Sequence, residues 1–192
     1  MKLKSAGVAR YAAIVALVAV GIAIDSALTA QFGISAAIAT LLVVLPLTQA
    51  FSLKESVLAC LTFGVLSLLR AYLLPNVTSV AFMKIEVAIL PRLAIAFTAH
   101  GTYKLLGKLF ANSRPFAKKY LASAISAGVG MLTNTALVLT ALTLGTDGNV
   151  MDKVISAFIT GYASIELVLS VIFVPIVTSR LTKIFARGED AE

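Results

Sequence analysis

Six apolar runs recur along this chain, each near the length of a bilayer crossing, and only short polar breaks separate them. A helix needs about 20 predominantly apolar residues to cross a hydrocarbon layer roughly 30 Å thick. The runs cover residues 8–28, 34–51, 56–74, 86–110, 116–144 and 154–181. Hydrophobic residues make up 59% of the chain and charged residues 13%, against about 25% charged in an ordinary soluble domain. A globular fold has nowhere to bury that much apolar surface, whereas a bilayer does. The sequence therefore predicts an all-α membrane protein with six transmembrane helices, forming one domain over residues 1–192. Little chain is left for a nucleotide-hydrolysing domain, and no GxxxxGK[ST] motif occurs. Cys60 is the only cysteine and His100 the only histidine. That excludes an internal disulfide and a metal site built from thiolates or several imidazoles.

The basic residues set the orientation. Lys2, Lys4 and Arg10 begin the chain, Lys54 lies between the second and third runs, and Lys104, Lys108, Arg114, Lys118 and Lys119 flank the break between the fourth and fifth. Arg180, Lys183 and Arg187 follow the sixth. With six crossings all of these fall on one side, and the positive-inside rule places that side, with both termini, in the cytoplasm. The net charge of +7 is read as this asymmetry and not as a nucleic-acid surface. MKLKSAGVAR before the first run looks like the start of a signal peptide. Five further runs follow, and Asp25 is an unusual neighbour for a cleavage site, so a retained first helix is expected.

The stretch from Arg70 to Arg92, RAYLLPNVTSVAFMKIEVAILPR, is the longest interruption in the first half. Its centre, with Asn76 and Thr78, is made of turn residues. Residues 70–92 are expected to form an outward-facing loop and gate over a pocket. Ser52 and Glu55 have the spacing of a capping box at the start of the third helix. Pro91 predicts a kink or a start in the fourth.

Ionisable residues within apolar runs point to function, because they are costly there without a partner. Glu166, in SIELVLSVIF, is the first candidate for substrate binding, with Tyr162 one turn before it on the same face. Asn134, flanked by Thr133 and Thr135, offers both donors and acceptors. Arg92 and Arg70 are placed to fork onto a carboxylate or phosphate. Each has a plainer reading: Glu166 and Asn134 as interhelical bonds, the arginines as residues snorkelling to headgroups. Lys84 and Glu86 are expected to face solvent, His100 to bond a backbone or hydroxyl group, and Asp25 to mark a helix boundary. Ala12 and Ala16 form a small-xxx-small pattern on the first helix, which lets another backbone come close.

Several of these stretches together resemble a known family. AAIVALVA in the first helix is similar to an AxxxA motif followed by leucine; LLRAYLLPNVTS and LPRLAIAF resemble the arginine-bearing end of a third helix and the opening of a fourth. GMLTNTALVL and the glutamate of the sixth helix fit the same pattern. With its length and layout, the chain resembles the S component of an energy-coupling factor (ECF) transporter, the vitamin-uptake class of ABC importers. The resemblance implies a multi-pass protein of a prokaryotic plasma membrane that binds one vitamin and has no catalytic residues or cofactor of its own. It implies docking, through the face bearing Ala12 and Ala16, onto a transmembrane coupling subunit served by two cytoplasmic ATPases, where ATP and Mg are bound. Arg92, Arg70, Asn76, Thr78, Asn134, Tyr162 and Glu166 then form the substrate site. The basic mouth favours a small anionic vitamin, pantothenate first, with cobalamin, folate and a hydroxymethylpyrimidine as alternatives. The chain lacks tryptophan, which members with an extensive stacking site carry. A self-sufficient secondary transporter is the competing class, and the absence of an internal repeat counts against it.

Overall fold

A computed structural model describes residues 2–32, 37–75, 82–114, 116–145 and 163–189. Among these, six helices follow one another and no strand is present: α1 Lys2–Phe32, α2 Ile38–Ala50, α3 Leu53–Leu73, α4 Ile85–Leu109, α5 Ala122–Gly145 and α6 Ala163–Glu189. A π-helical turn, Ala117–Leu121, leads into α5. Segments of α1, α3, α5 and α6 are long and apolar enough to cross a membrane. The chain is a multi-pass helical membrane protein. Asn76, Thr78 and Tyr162 lie outside the described residues.

Contacts between helices give the topology. Asp25 meets Ala39 and Thr40, so α1 and α2 run antiparallel. Arg10 meets Glu55 and Arg70 meets Thr29, so α1 and α3 run parallel. Phe63 faces Arg92 and Ser56 faces His100, an antiparallel α3–α4 pair. Ala37 bonds Glu166 and Thr178 bonds Gln49, both 129 residues apart, which sets α2 parallel to α6. The helices therefore alternate up and down, and the start of α1, the α2–α3 turn and the end of α6 meet at one end. That is the arrangement the distribution of basic residues requires.

Close packing of the core rests on small residues. A Cβ at Gly130 would lie 2.7 Å from Leu45 Cδ2 and 2.9 Å from Ala99 Cβ; one at Gly21 would lie 2.9 Å from the Thr40 Cα. Around these crossings Ile14, Val18, Leu41, Val44, Phe63, Ile95 and Met131 are fully enclosed. At one end of this core Gln49, 2% exposed, donates to the Ser123 carbonyl at 3.0 Å and to Ser126 Oγ at 3.2 Å. It accepts from Thr178 Oγ1 at 3.0 Å and from Ser123 Oγ. One amide thus ties α2 to both α5 and α6. Nearby, His100 Nδ1 donates to the Thr48 carbonyl at 2.8 Å, the backbone bond expected of it.

Helix covers both arginines that bracket the 70–92 interruption. Arg70 lies in the last turn of α3 and Arg92 two turns into α4, and the two helices leave only residues 74–84 between them. Pro91 sits inside α4, which begins at Ile85. Proline is tolerated in a transmembrane helix where neighbouring groups satisfy the carbonyl it frees. Here the Val87 carbonyl, four residues before Pro91, accepts from Arg92 Nη1 at 2.9 Å.

Candidate functional site

The site is organised by a helix without a cap of its own. Ala37, at the N-cap of α2, has no side-chain oxygen to bond the first backbone N–H groups. Water is absent at bilayer depth, so those donors need acceptors from the protein. Two carboxylates supply them. Asp25 of α1 accepts from Ala39 N with Oδ1 and from Thr40 N with Oδ2, both at 2.9 Å; Oδ2 also takes the Thr40 hydroxyl at 2.5 Å. Glu166 of α6 accepts from Ala37 N at 3.2 Å through Oε1. Three of the four donors that a helix start leaves open are thus bonded from other helices. Each carboxylate also lies at the positive end of the α2 dipole.

Asp25 is 1% exposed and Glu166 3%. The expectation that Asp25 marks a boundary is corrected: it is a buried interhelical cap. The sequence signal was present, since an aspartate followed by SALTAQF lies inside an apolar stretch. Its partners, backbone amides, carry no sequence signature. Arg70, half-buried, reaches back to α1 and donates through Nη2 to the Asp25 carbonyl at 3.3 Å and to Thr29 Oγ1. It braces the end of α1 instead of snorkelling alone.

Arg92 is buried, at 4% exposure, within α4. Its guanidinium lies over two aromatic rings, 5.2 Å from the Phe63 centroid and 5.0 Å from that of Phe82. Such cation–π contacts replace part of the lost hydration. Glu166 is within electrostatic reach. Nη1 is committed to the Val87 carbonyl, and Nε finds no hydrogen-bond partner among the described residues. The same holds for Asn134 Oδ1 on α5, where the residue is 5% exposed. Buried polar atoms left unbonded are uncommon and ask for an explanation. The register places the two at one level. Gly130 packs on Ile95 and Ala99, so Asn134, one turn further, falls beside the Arg92 turn of α4. Gly128 packs on Leu167 and Val171, which sets Asn134 level with the start of α6.

Arg92 and Glu166 are thus within electrostatic reach of one another, and Asn134 lies at their level on α5, in the half of the bundle away from the chain ends; Arg70 sits on the α1 side. A donor edge, an acceptor and a carboxylate with one oxygen committed suit a small molecule carrying an anionic group together with hydroxyl or amide hydrogens. A cleft of about 640 Å³ opens between the start of α4 and the end of α5. Val87, Leu90, Pro91, Leu137 and Ala141 line it, with Lys84 and Glu86 at its mouth, and both of these are exposed as expected. Of the described candidates, Arg70, Arg92, Asn134 and Glu166, none lines this cleft. Its apolar walls suit lipid chains better than a polar ligand, so the buried polar cluster is the better candidate. Among the described residues no group of histidine, cysteine and acidic side chains can hold a metal ion. Ala12 and Ala16 both lie exposed on α1, beside Val8 and Val15. No protein-family model matches the chain, and no curated protein matches it.

Proposed function

We propose that this chain is the substrate-binding S component of an ECF-type vitamin importer in a prokaryotic plasma membrane. Its ligand is a small anionic vitamin, with pantothenate the first choice. The observation that carries this reading is the pair of buried polar atoms with no hydrogen-bond partner among the described residues, Arg92 Nε and Asn134 Oδ1, with Glu166 in electrostatic reach of Arg92. A carboxylate on the Nε edge of Arg92 gains a charge-assisted bond in a setting screened by Phe63 and Phe82. A ligand hydroxyl or amide N–H donates to Asn134 Oδ1. Glu166 accepts a second ligand hydrogen through the oxygen that Ala37 does not use. Both termini face the cytoplasm, and the exposed Ala12–Ala16 face of α1 receives the transmembrane coupling subunit. Two separate ATPases supply the energy.

The test begins with mass spectrometry of small molecules that co-purify with the protein, followed by equilibrium binding of the molecule found and of pantothenate. Arg92→Ala, Asn134→Ala and Glu166→Gln are each expected to weaken binding about 10- to 100-fold, the range for removing one buried bond to a charged or polar ligand group. Unchanged affinity in all three sinks the site. Uptake into proteoliposomes that contain this chain alone, without ATPases, would assign it to the secondary transporters instead.

A further inference from the structure

The end of the bundle where α4 passes into α5 carries an unusual surface. Lys104 and Lys108 are exposed one turn apart on α4, and Leu105 and Leu109 form a second exposed row beside them, at 58% and 66% exposure. Arg114 is exposed in the turn that follows. Phe116, 70% exposed, then stacks on Tyr120 at 5.4 Å between ring centroids. The second ring belongs to the π-helical turn Ala117–Leu121, an irregularity that in other proteins often marks a functional position. Between Glu86 and Asp147 the sequence contains no acidic residue. Glu55, the acid on the nearby α2–α3 turn, is paired with Arg10 at 2.8 Å. Lys104, Lys108, Arg114 and Lys119 form no ion pair among the described residues.

We propose that this α4–α5 edge is a binding site for the headgroup of an anionic phospholipid. The chemistry matches on two counts. Apolar side chains and an amphipathic aromatic pair belong at the boundary between acyl chains and headgroups. Beside them, cations with no ion-pair partner among the described residues meet a phosphodiester, which gives a charge-assisted bond to each phosphate oxygen engaged. A soluble protein partner is the weaker match, because the apolar row lies in line with the lipid-facing side of α4. The site is independent of the vitamin pocket, which lies toward the other end of the bundle.

The chain has no tryptophan, so Phe116→Trp introduces a single fluorophore at the patch. Tyr72→Trp, at a residue 59% exposed near the other end of α3, gives the reference. Each variant is reconstituted in vesicles with brominated phosphatidylglycerol or brominated phosphatidylcholine at matched fractions. In the Phe116→Trp protein the anionic lipid is expected to quench as though enriched about threefold over its bulk fraction, an enrichment that fades in high salt; in the Tyr72→Trp protein quenching follows bulk composition. Neutralising the patch with K104Q/K108Q/R114Q/K119Q is expected to abolish the preference. Should that variant not fold, K104Q/K108Q and R114Q/K119Q are each expected to reduce it. Equal quenching by the two lipids at the patch fluorophore, the same preference at the reference fluorophore, or a preference that survives neutralisation overturns the proposal.

Discussion

Removing the carboxylate of Asp25 tests whether α2 depends on caps supplied by its neighbours. Asp25→Ala leaves the Ala39 and Thr40 amides and the Thr40 hydroxyl without their acceptor. Each buried group so orphaned costs about 1–3 kcal/mol. Relief from burying a carboxylate offsets part of that. Taking about 1 kcal/mol for each of the three groups gives a loss of roughly 3 kcal/mol. At about 2–4 °C per kcal/mol for a chain of this size, the midpoint falls on the order of 10 °C. Asp25→Asn keeps one acceptor oxygen but turns an NH₂ toward a donor, so it lies close to Asp25→Ala. Thr40→Val removes only the hydroxyl and keeps both amides bonded, at about 1 kcal/mol. The protein carries its own reporter: Cys60 is fully buried and unique, so a fluorogenic maleimide reads unfolding directly in a thermal ramp. A midpoint for Asp25→Ala within about 2 °C of the parent, or a larger loss for Thr40→Val, refutes the capping argument.

Three other outcomes follow from the packing. Gly130→Ala drives a methyl into Leu45 and Ala99 and is expected to lose about 1–3 kcal/mol, whereas Gly101→Ala meets nothing within 4 Å and is expected to gain about 0.5–1 kcal/mol, both read by the Cys60 assay. Gln49→Leu strands the Ser123 and Thr178 hydroxyls together and is expected to cost about 2–4 kcal/mol; a neutral result would show that the network is dispensable. On the proposed function, Ala12→Trp and Ala16→Trp are expected to leave the melting midpoint and ligand affinity unchanged, because both positions are exposed, while abolishing uptake when the chain is reconstituted with a coupling subunit and ATPases.

The periodicity of apolar runs was enough to reveal six helices, because lipid removes the alternatives to helix for a crossing segment. Their order and direction were legible for the same reason: the basic residues cluster, and alternation follows. Arg92, Asn134 and Glu166 stood out as polar residues in apolar surroundings, and all three are buried. What the sequence did not disclose is who bonds whom. Asp25 and Glu166 both bind backbone amides of α2, and an amide looks the same under every side chain. Among the described residues, the stretch between the two arginines is mostly helix: α3 runs to Leu73 and α4 starts at Ile85, close to the ends of the apolar runs 56–74 and 86–110, and Arg70 and Arg92 find acceptors on α1 and α4.

The length of α2 connects the caps to the pocket. Its 13 residues span about 20 Å at 1.5 Å per residue, some 10 Å short of a hydrocarbon core. With Gln49 anchored at the end where the termini gather, a helix of this length starts short of the opposite surface, and its first amides turn to acceptors from neighbouring helices. Asp25 and Glu166 are the acceptors that make so short a helix tolerable. They also fill the positive end of its dipole, which would otherwise attract an anionic ligand. That leaves Arg92 as the one buried cation among the described residues with an unbonded edge. On the proposed function, the ligand's anionic group is directed to Arg92 and away from the α2 terminus, whose donors are already bonded. A helix that crossed the whole membrane would need neither carboxylate. The shortness of α2 thus accounts for two acids in apolar runs.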